Sequence, residues 1–595
     1  MTGKHERLAS RVPGVPGNGL IDRRALLGRG ILFAGAAATG TGGSLTGAAA
    51  EPLPVDPWPS IRAAEINVET ATTGDLQAAF QKGTLTSEKL TEIYLGRIAA
   101  YDKHGPAINA IITLNPNALG EARALDAERK AGKVRGPLHG IPIVLKDNFN
   151  TFDMPTTAGC QLLEGSIPPA DGFLTKRLRE AGAIIIAKVN LSEFAGGGGS
   201  TAGATDPAIL KAGTIPNGFS SMGGQTHNPH NTDYGPAGSS GGTGASIAAS
   251  FAQLGFGTDT GGSVRGPSSA NGIVGLRPTY GLLSRTGIVP NALSLDTAGP
   301  MARSVYDIAV VLGVTAGIDP ADAATMKSAG KVETDYTKFL KVGSLKGARI
   351  GVLRGYMGQN AETDRIVEES IVTLKKLGAV IVDSVSLPDY ILKAQAEISN
   401  VLHHSEFKAS IGEYLKSDTK PGYPKSLDDL VARTSDPATH YRSSGKAVGF
   451  KYTASVAKDM DDPAYLAIKN EGLAMVKAAV QAVFVGNKLD AMIYPTSPRP
   501  ASLIKPPEES AAAPATTSAR AELGSGTIIA SETGFPDLIV PAGMTKDGLP
   551  VTISFIGTAF SEPKLLGYGY DFEQATKALT VPKMTPVLPG DAISK

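Results

Sequence analysis

Two glycine-rich segments carry the hydroxyl groups that could do chemistry. The first runs Gly235-Pro236-Ala237-Gly238-Ser239-Ser240-Gly241-Gly242-Thr243-Gly244-Ala245-Ser246, and the second runs Gly257-Thr258-Asp259-Thr260-Gly261-Gly262-Ser263-Val264-Arg265-Gly266-Pro267. Serine is a useful nucleophile only when a base removes its proton, so either block needs a partner. A flexible linker would account for the glycines, but the apolar run Ile247-Ala248-Ala249-Ser250-Phe251-Ala252 between the blocks has no place in one. Glycine-rich turns before helices also bind phosphate. The Gly-Lys-Ser/Thr that completes a phosphate loop is absent. Gly238-Ser239-Ser240-Gly241-Gly242 contains G-x-S-x-G, the nucleophile elbow of α/β hydrolases. That elbow follows a strong strand, and residues 230–236 do not form one. It also needs a downstream histidine, and His403, His404 and His440 sit in no recognisable context.

Taken together, the blocks resemble the amidase signature family. Its hallmark is G-S-S-G-G followed by G-T-D-x-G-G-S-x-R-x-P, with two catalytic serines 24 positions apart, the separation of Ser239 and Ser263. The family's lysine ends an upstream strand in K-D-N, matched by Gly140-Ile141-Pro142-Ile143-Val144-Leu145-Lys146-Asp147-Asn148. The resemblance continues through Asn190-Leu191-Ser192-Glu193-Phe194, Gly275-Leu276-Arg277-Pro278-Thr279, Asp296-Thr297-Ala298-Gly299-Pro300 and Gly534-Phe535-Pro536. It implies an amidase that cleaves carbon–nitrogen amide bonds through a Ser263–Ser239–Lys146 triad and an acyl-enzyme. Lys146 would be neutral and take a proton from Ser239, which takes one from Ser263. An ordinary lysine would spend about 4–5 kcal/mol to be neutral at pH 7, so burial must lower its pKa. The apolar run before Lys146 is consistent with that burial. By the same resemblance, the Gly238–Ser239 peptide is cis. Backbone N–H groups of Thr260, Gly261, Gly262 and Ser263 form an oxyanion hole, and Ser240 hydrogen-bonds within the site. Asp259 and Arg265 are expected to pin the loop rather than react. Residues 218–229 and 557–566 look most like the bacterial peptide amidase branch, which releases ammonia from amides including C-terminal peptide amides. The Thr260-Gly261-Gly262 loop looks more like the generic family form.

The elements that must position these residues read as alternating α and β. Thr86-Ser87-Glu88 caps a helix with apolar positions Leu90, Ile93, Tyr94, Ile98 and Tyr101. Residues 183–187 read as a strand buried on both faces. Residues 350–353, a helix through Ile366, Val367, Ile371, Leu374 and Leu377 stopped by Gly378, and residues 380–382 read as a β-α-β unit. Residues 491–494 and 538–540 read as late central strands, 325–346 as an internal connector and 505–517 as a surface loop. The fold class is α/β: by the family resemblance, one large domain with a central mixed, twisted β-sheet covered on both faces by helices.

Composition narrows the rest. The 595 residues are 42% hydrophobic and 19% charged, enough apolar material for a large core. The net charge of +1 and the lack of a basic stripe give no electrostatic footprint for nucleic acid or an anionic membrane. The single cysteine, Cys160, excludes an internal disulfide and reads as a buried, inert thiol. His227 and His230 read as solvated loop residues. No metal or organic cofactor is expected. Arg23-Arg24, the apolar run 31–38 and Ala48-Ala49-Ala50 read as a twin-arginine export signal. The expected organisation is therefore an export segment at 1–50 and a catalytic domain at 51–595, in a periplasmic or secreted monomer or homodimer. The expected partner is a small-molecule or peptide amide, with no nucleic acid and no stable membrane association. The competing readings are the glutaminase component of a tRNA-dependent amidotransferase and a non-catalytic binding protein on the same fold. A membrane-docked fatty-acid amide hydrolase is disfavoured by the lack of an aromatic-rich amphipathic helix, Trp58 being the only tryptophan.

Overall fold

The computed structural model describes residues 66–199, 201, 204–504 and 526–593. The expected export segment and the 505–517 loop lie outside the described residues. Among the described residues the main sheet has eleven strands. In chain order they are β1 (Ile111–Leu114), β2 (Pro142–Lys146), β3 (Ile184–Val189), β4 (Leu254–Asp259), β5 (Val274–Arg277), β6 (Thr297–Ala302), β7 (Arg349–Val352), β8 (Val380–Val382), β9 (Ala491–Pro495), β10 (Asp537–Met544) and β11 (Pro550–Ile556). Their spatial order is β8-β7-β9-β11-β10-β5-β6-β4-β2-β3-β1. The sheet is mixed: β2 runs parallel to β3 and β4, whereas β4 and β6 are antiparallel.

Local sequence explains the elements nearest the site. Every residue of β2, β3 and β4 is buried, as continuous apolar runs covered on both faces require. The helix Ser87–Tyr101 starts where expected, with Thr86 Oγ1 accepting the Lys89 N–H at 3.0 Å. Its expected apolar positions are all buried. The β-α-β unit is also present. β7 and β8 pair in parallel around the helix Ala361–Lys376, which Asn360 caps, and Gly378 turns the chain at φ 89°.

Residues 325–346 differ from the connector expected. They form short 3₁₀ turns whose Thr325 and Tyr336 are buried, Tyr336 within the same apolar core as the sheet. Such turns bury single side chains and carry no apolar period, so sequence alone resembles a linker. The described residues fall within one compact unit.

Candidate active site

Parallel pairing of β2 and β4 sets the base of the site. Ile143, Val144 and Leu145 lie opposite Leu254, Gly255 and Phe256, so both strands end at the same edge of the sheet. That brings Lys146 beside Thr258. The Lys146 Nζ lies 2.7 Å from Ser239 Oγ, 2.8 Å from Thr258 Oγ1 and 3.0 Å from Ser240 Oγ. Asp147, one residue on, is 3.1 Å from Lys188 Nζ, so its charge is compensated there.

The amine is fully buried. Burial lowers its pKa from 10.5 to about 7, against the charges of Asp259 and Asp296, which push it up. A neutral amine has two N–H bonds and one lone pair. The Ser240 O–H donates to the Thr258 carbonyl at 3.2 Å, so Ser240 Oγ meets the amine as an acceptor. Thr258 Oγ1 accepts from Asn148 Nδ2 at 3.0 Å and has a second lone pair for the amine. With both N–H bonds so used, the nitrogen lone pair is left for the Ser239 O–H.

Each serine precedes a helix. Ser239 and Ser240 lead into Gly241–Ala248, and Ser263 leads into Arg265–Ala270. The Gly238–Ser239 peptide is cis. The Ser192 N–H donates to the Ser239 carbonyl at 2.9 Å, and the Gly242 N–H donates to the Asn190 carbonyl at 3.0 Å. The two serine loops are tied to each other by the Ser240 N–H, which donates to the Ser263 carbonyl at 3.1 Å. Ser239 is buried and Ser263 half-buried. Glycine at 257 permits this approach, because a Cβ there would stand 2.5 Å from Ser240 Oγ.

Asp259 and Arg265 form the hub of the second loop. The Asp259 carboxylate accepts from Gly262 N–H (2.9 Å), Val264 N–H (3.0 Å), Arg265 Nε (3.0 Å), Arg265 Nη2 (2.8 Å) and Arg277 Nη1 (2.8 Å). Burial would raise this carboxyl, but the guanidinium groups of Arg265 and Arg277 overrule it and hold it well below the usual carboxylate range. Arg265 also reaches Asp537 at 3.0 Å, whose carboxylate accepts from the Tyr494 hydroxyl. Replacing Asp259 with alanine would leave two buried guanidinium groups short of their partner. The expected loss is about 3–5 kcal/mol of stability, read from the denaturant midpoint. A change below about 1 kcal/mol would contradict the hub.

One loop residue departs from expectation. The Gly262 N–H, expected among the oxyanion donors, is committed to Asp259, because the carboxylate folds back over its own loop. Gly262 instead supplies backbone shape, with φ at 125° and a Cβ position 2.7 Å from Thr527 Oγ1. The Thr260 hydroxyl donates to Asp296 at 2.6 Å. Gly261 is exposed at the loop surface.

His227 and His230 are half-buried, not solvated. Their ring nitrogens bond the carbonyls of Thr232 (2.7 Å) and Asn271 (3.1 Å). Desolvation lowers His230 to about 4, partly offset by that carbonyl, so it stays neutral. Cys160 is buried with Leu163, Phe194 and Phe407, and burial, with Glu193 beside it, pushes its thiol pKa up. Thr258 and Asn148 carry no signal of their own in the sequence, although both lie inside matched motifs. Among the described residues, no group of three or more His, Cys, Asp or Glu is arranged to hold a metal, and no helix is long and apolar enough to cross a membrane.

Comparison with known proteins identifies the family. The family model "Amidase" matches residues 89–566. A probable amidase of Arabidopsis thaliana is 32% identical over 523 residues, covering 87% of this chain and 92% of the relative. A component of the glutamyl-tRNA(Gln) amidotransferase of Geobacter metallireducens is 35% identical over 522 residues, covering 84% of this chain and 96% of the relative. The crystal structure of a native peptide amidase from Stenotrophomonas maltophilia superposes with a TM-score of 0.76 at 37% identity, covering 87% of this chain and 99% of that one.

Proposed function

The chain belongs to the amidase family of amide-hydrolysing enzymes, and from that premise we propose that Lys146, Ser239 and Ser263 carry its reaction. The observation behind this reading is the buried amine, with its pKa near 7, set 2.7 Å from Ser239 Oγ. The neutral amine takes the Ser239 proton as Ser239 takes that of Ser263. The Ser263 oxygen then bonds to the amide carbonyl carbon. Negative charge develops on the carbonyl oxygen beside the backbone N–H groups of Thr260, Gly261 and Ser263. The lysine proton returns through Ser239 to the amide nitrogen, the carbon–nitrogen bond breaks, and an ester remains on Ser263. Water, its proton passed through Ser239 to the lysine, attacks the ester; the acyl–oxygen bond to Ser263 breaks, the acid leaves, and the proton returns through Ser239 to the Ser263 oxygen. Ser240 and Thr258 hold the amine; they do not exchange protons with the substrate.

The substrates proposed are primary carboxamides that release ammonia, C-terminal peptide amides among them. The likeness to the Stenotrophomonas peptide amidase supports that class. A second reading has support in the amidotransferase relatives: a glutaminase working with partner proteins. Ammonia release from amino acid amides, peptide amides, anilides and glutamine, assayed with the isolated chain, separates the two. Turnover of peptide amides without a partner is expected. Activity confined to glutamine with a partner present would favour the second reading. The pH dependence follows from the lysine. An ammonium has no lone pair, so kcat/KM is expected to fall below about pH 7 and level off above it.

A further inference from the structure

His403 lies far along the chain from both serine blocks, yet the fold brings it to the second one. It sits half-buried on the helix Asp389–Asp418. A Cβ built at exposed Gly261 would stand 4.0 Å from His403 Nε2, and among the described residues it meets nothing else within 4 Å outside its chain neighbours. The exposed surface of the loop at Gly261 therefore lies beside the His403 imidazole nitrogen, at van der Waals distance from where a side chain at 261 would begin.

The ring's other nitrogen fixes what that atom offers. His403 Nδ1 is 2.7 Å from the Ser399 carbonyl oxygen, with Ser399 Oγ at 3.2 Å. A carbonyl oxygen only accepts, so Nδ1 carries the hydrogen. In the neutral ring Nε2 then presents a bare lone pair. We propose that His403 is a substrate-recognition residue whose Nε2 accepts a hydrogen bond from an N–H on the acyl side of the scissile amide. The inference rests on the oxyanion role proposed for this loop. A carbonyl oxygen held by the Gly261 N–H puts the neighbouring acyl substituent over Gly261, where an acylamino N–H meets the acceptor. Gly261 is exposed, and glycine leaves a substituent on that surface free to reach Nε2, which a methyl at 261 would already touch. The chemistry selects acylamino acid amides and peptide amides over simple alkyl amides of the same size.

The test compares N-acetyl-L-phenylalaninamide with its analogue methylated on the acetamido nitrogen, which lacks that donor. His403→Ala is expected to raise KM about tenfold for the first, the usual scale of one hydrogen bond. Its kcat should stay within about twofold. For the methylated compound, KM should be the same in both proteins. His403→Gln, which retains an acceptor oxygen, is expected to recover part of the loss. Calorimetric binding of both compounds to Ser263→Ala, with and without His403→Ala, should give the same split in Kd. Binding with that split but no hydrolysis by the unaltered enzyme would strike the proposed reaction alone. Equal losses on both compounds, a fall in kcat at constant KM, or no binding to Ser263→Ala would overturn the role of His403.

Discussion

Ser263→Ala will fold normally and lose turnover by about a millionfold, the scale seen when the nucleophile of a serine triad is removed. The geometry leaves no substitute. Ser239 is buried against the lysine, and the Ser240 hydroxyl is committed to the Thr258 carbonyl. Ser263 alone among the three is half-open. Its contribution to the fold comes from its backbone, whose carbonyl receives the Ser240 N–H, and alanine keeps that bond. Thermal stability should therefore be close to that of the parent. A fluorophosphonate probe should label the parent at one site and leave Ser263→Ala unlabelled. Labelling of the variant, or activity within about a hundredfold of the parent, would remove Ser263 from the reaction.

Lys146→Met comes next in size, with an expected loss of roughly ten-thousandfold, the upper range for a general base. Methionine approximates the shape of the side chain and cannot accept a proton. The same substitution has a stability signature of known sign. The native amine has a pKa of about 7, against 10.5 when exposed. The unfolded chain thus binds more protons between those values, and stability rises with pH across that window. The cost of burying the ammonium, on the order of 5 kcal/mol, is fully present below about pH 7 and has vanished above 10.5. Lys146→Met removes this dependence while giving up three hydrogen-bond partners. Chemical denaturation of both proteins at about pH 6 and about pH 9, either side of the native midpoint, should show the parent gaining stability relative to the variant as pH rises. A parallel response would place the native pKa near its ordinary value.

The parts of this site that are legible in the sequence are those where chain order and spatial order coincide. The apolar run before Lys146 marks a buried strand with its lysine at the end. Asp259 and Arg265 stand six residues apart, and the structure joins them directly. What stays hidden depends on which strands are neighbours. Thr258 meets Lys146 only because β2 and β4 pair in parallel, across more than a hundred residues of chain. Arg265 finds Asp537 and the Thr527 carbonyl near the far end of the chain, and no local pattern announces either. The Gly262 N–H looks like one more loop donor until the Asp259 carboxylate is seen to fold back onto it. His230 reads as solvated because loop sequence says nothing about the Asn271 carbonyl it packs against. His403 has no context in the sequence because its context is a helix crossing the loop at Gly261.

The most direct measurement is the titration of the lysine itself. Protein labelled with ¹³C at the lysine ε-carbon, compared with Lys146→Met to identify the resonance, reports protonation without a substrate. One lysine signal is expected to titrate with a midpoint near pH 7 and to be missing from the variant. A Lys146 signal that stayed in its ammonium position up to about pH 10, the range of an ordinary lysine, would mean the amine is charged at working pH, and the relay from Ser263 through Ser239 would have no acceptor.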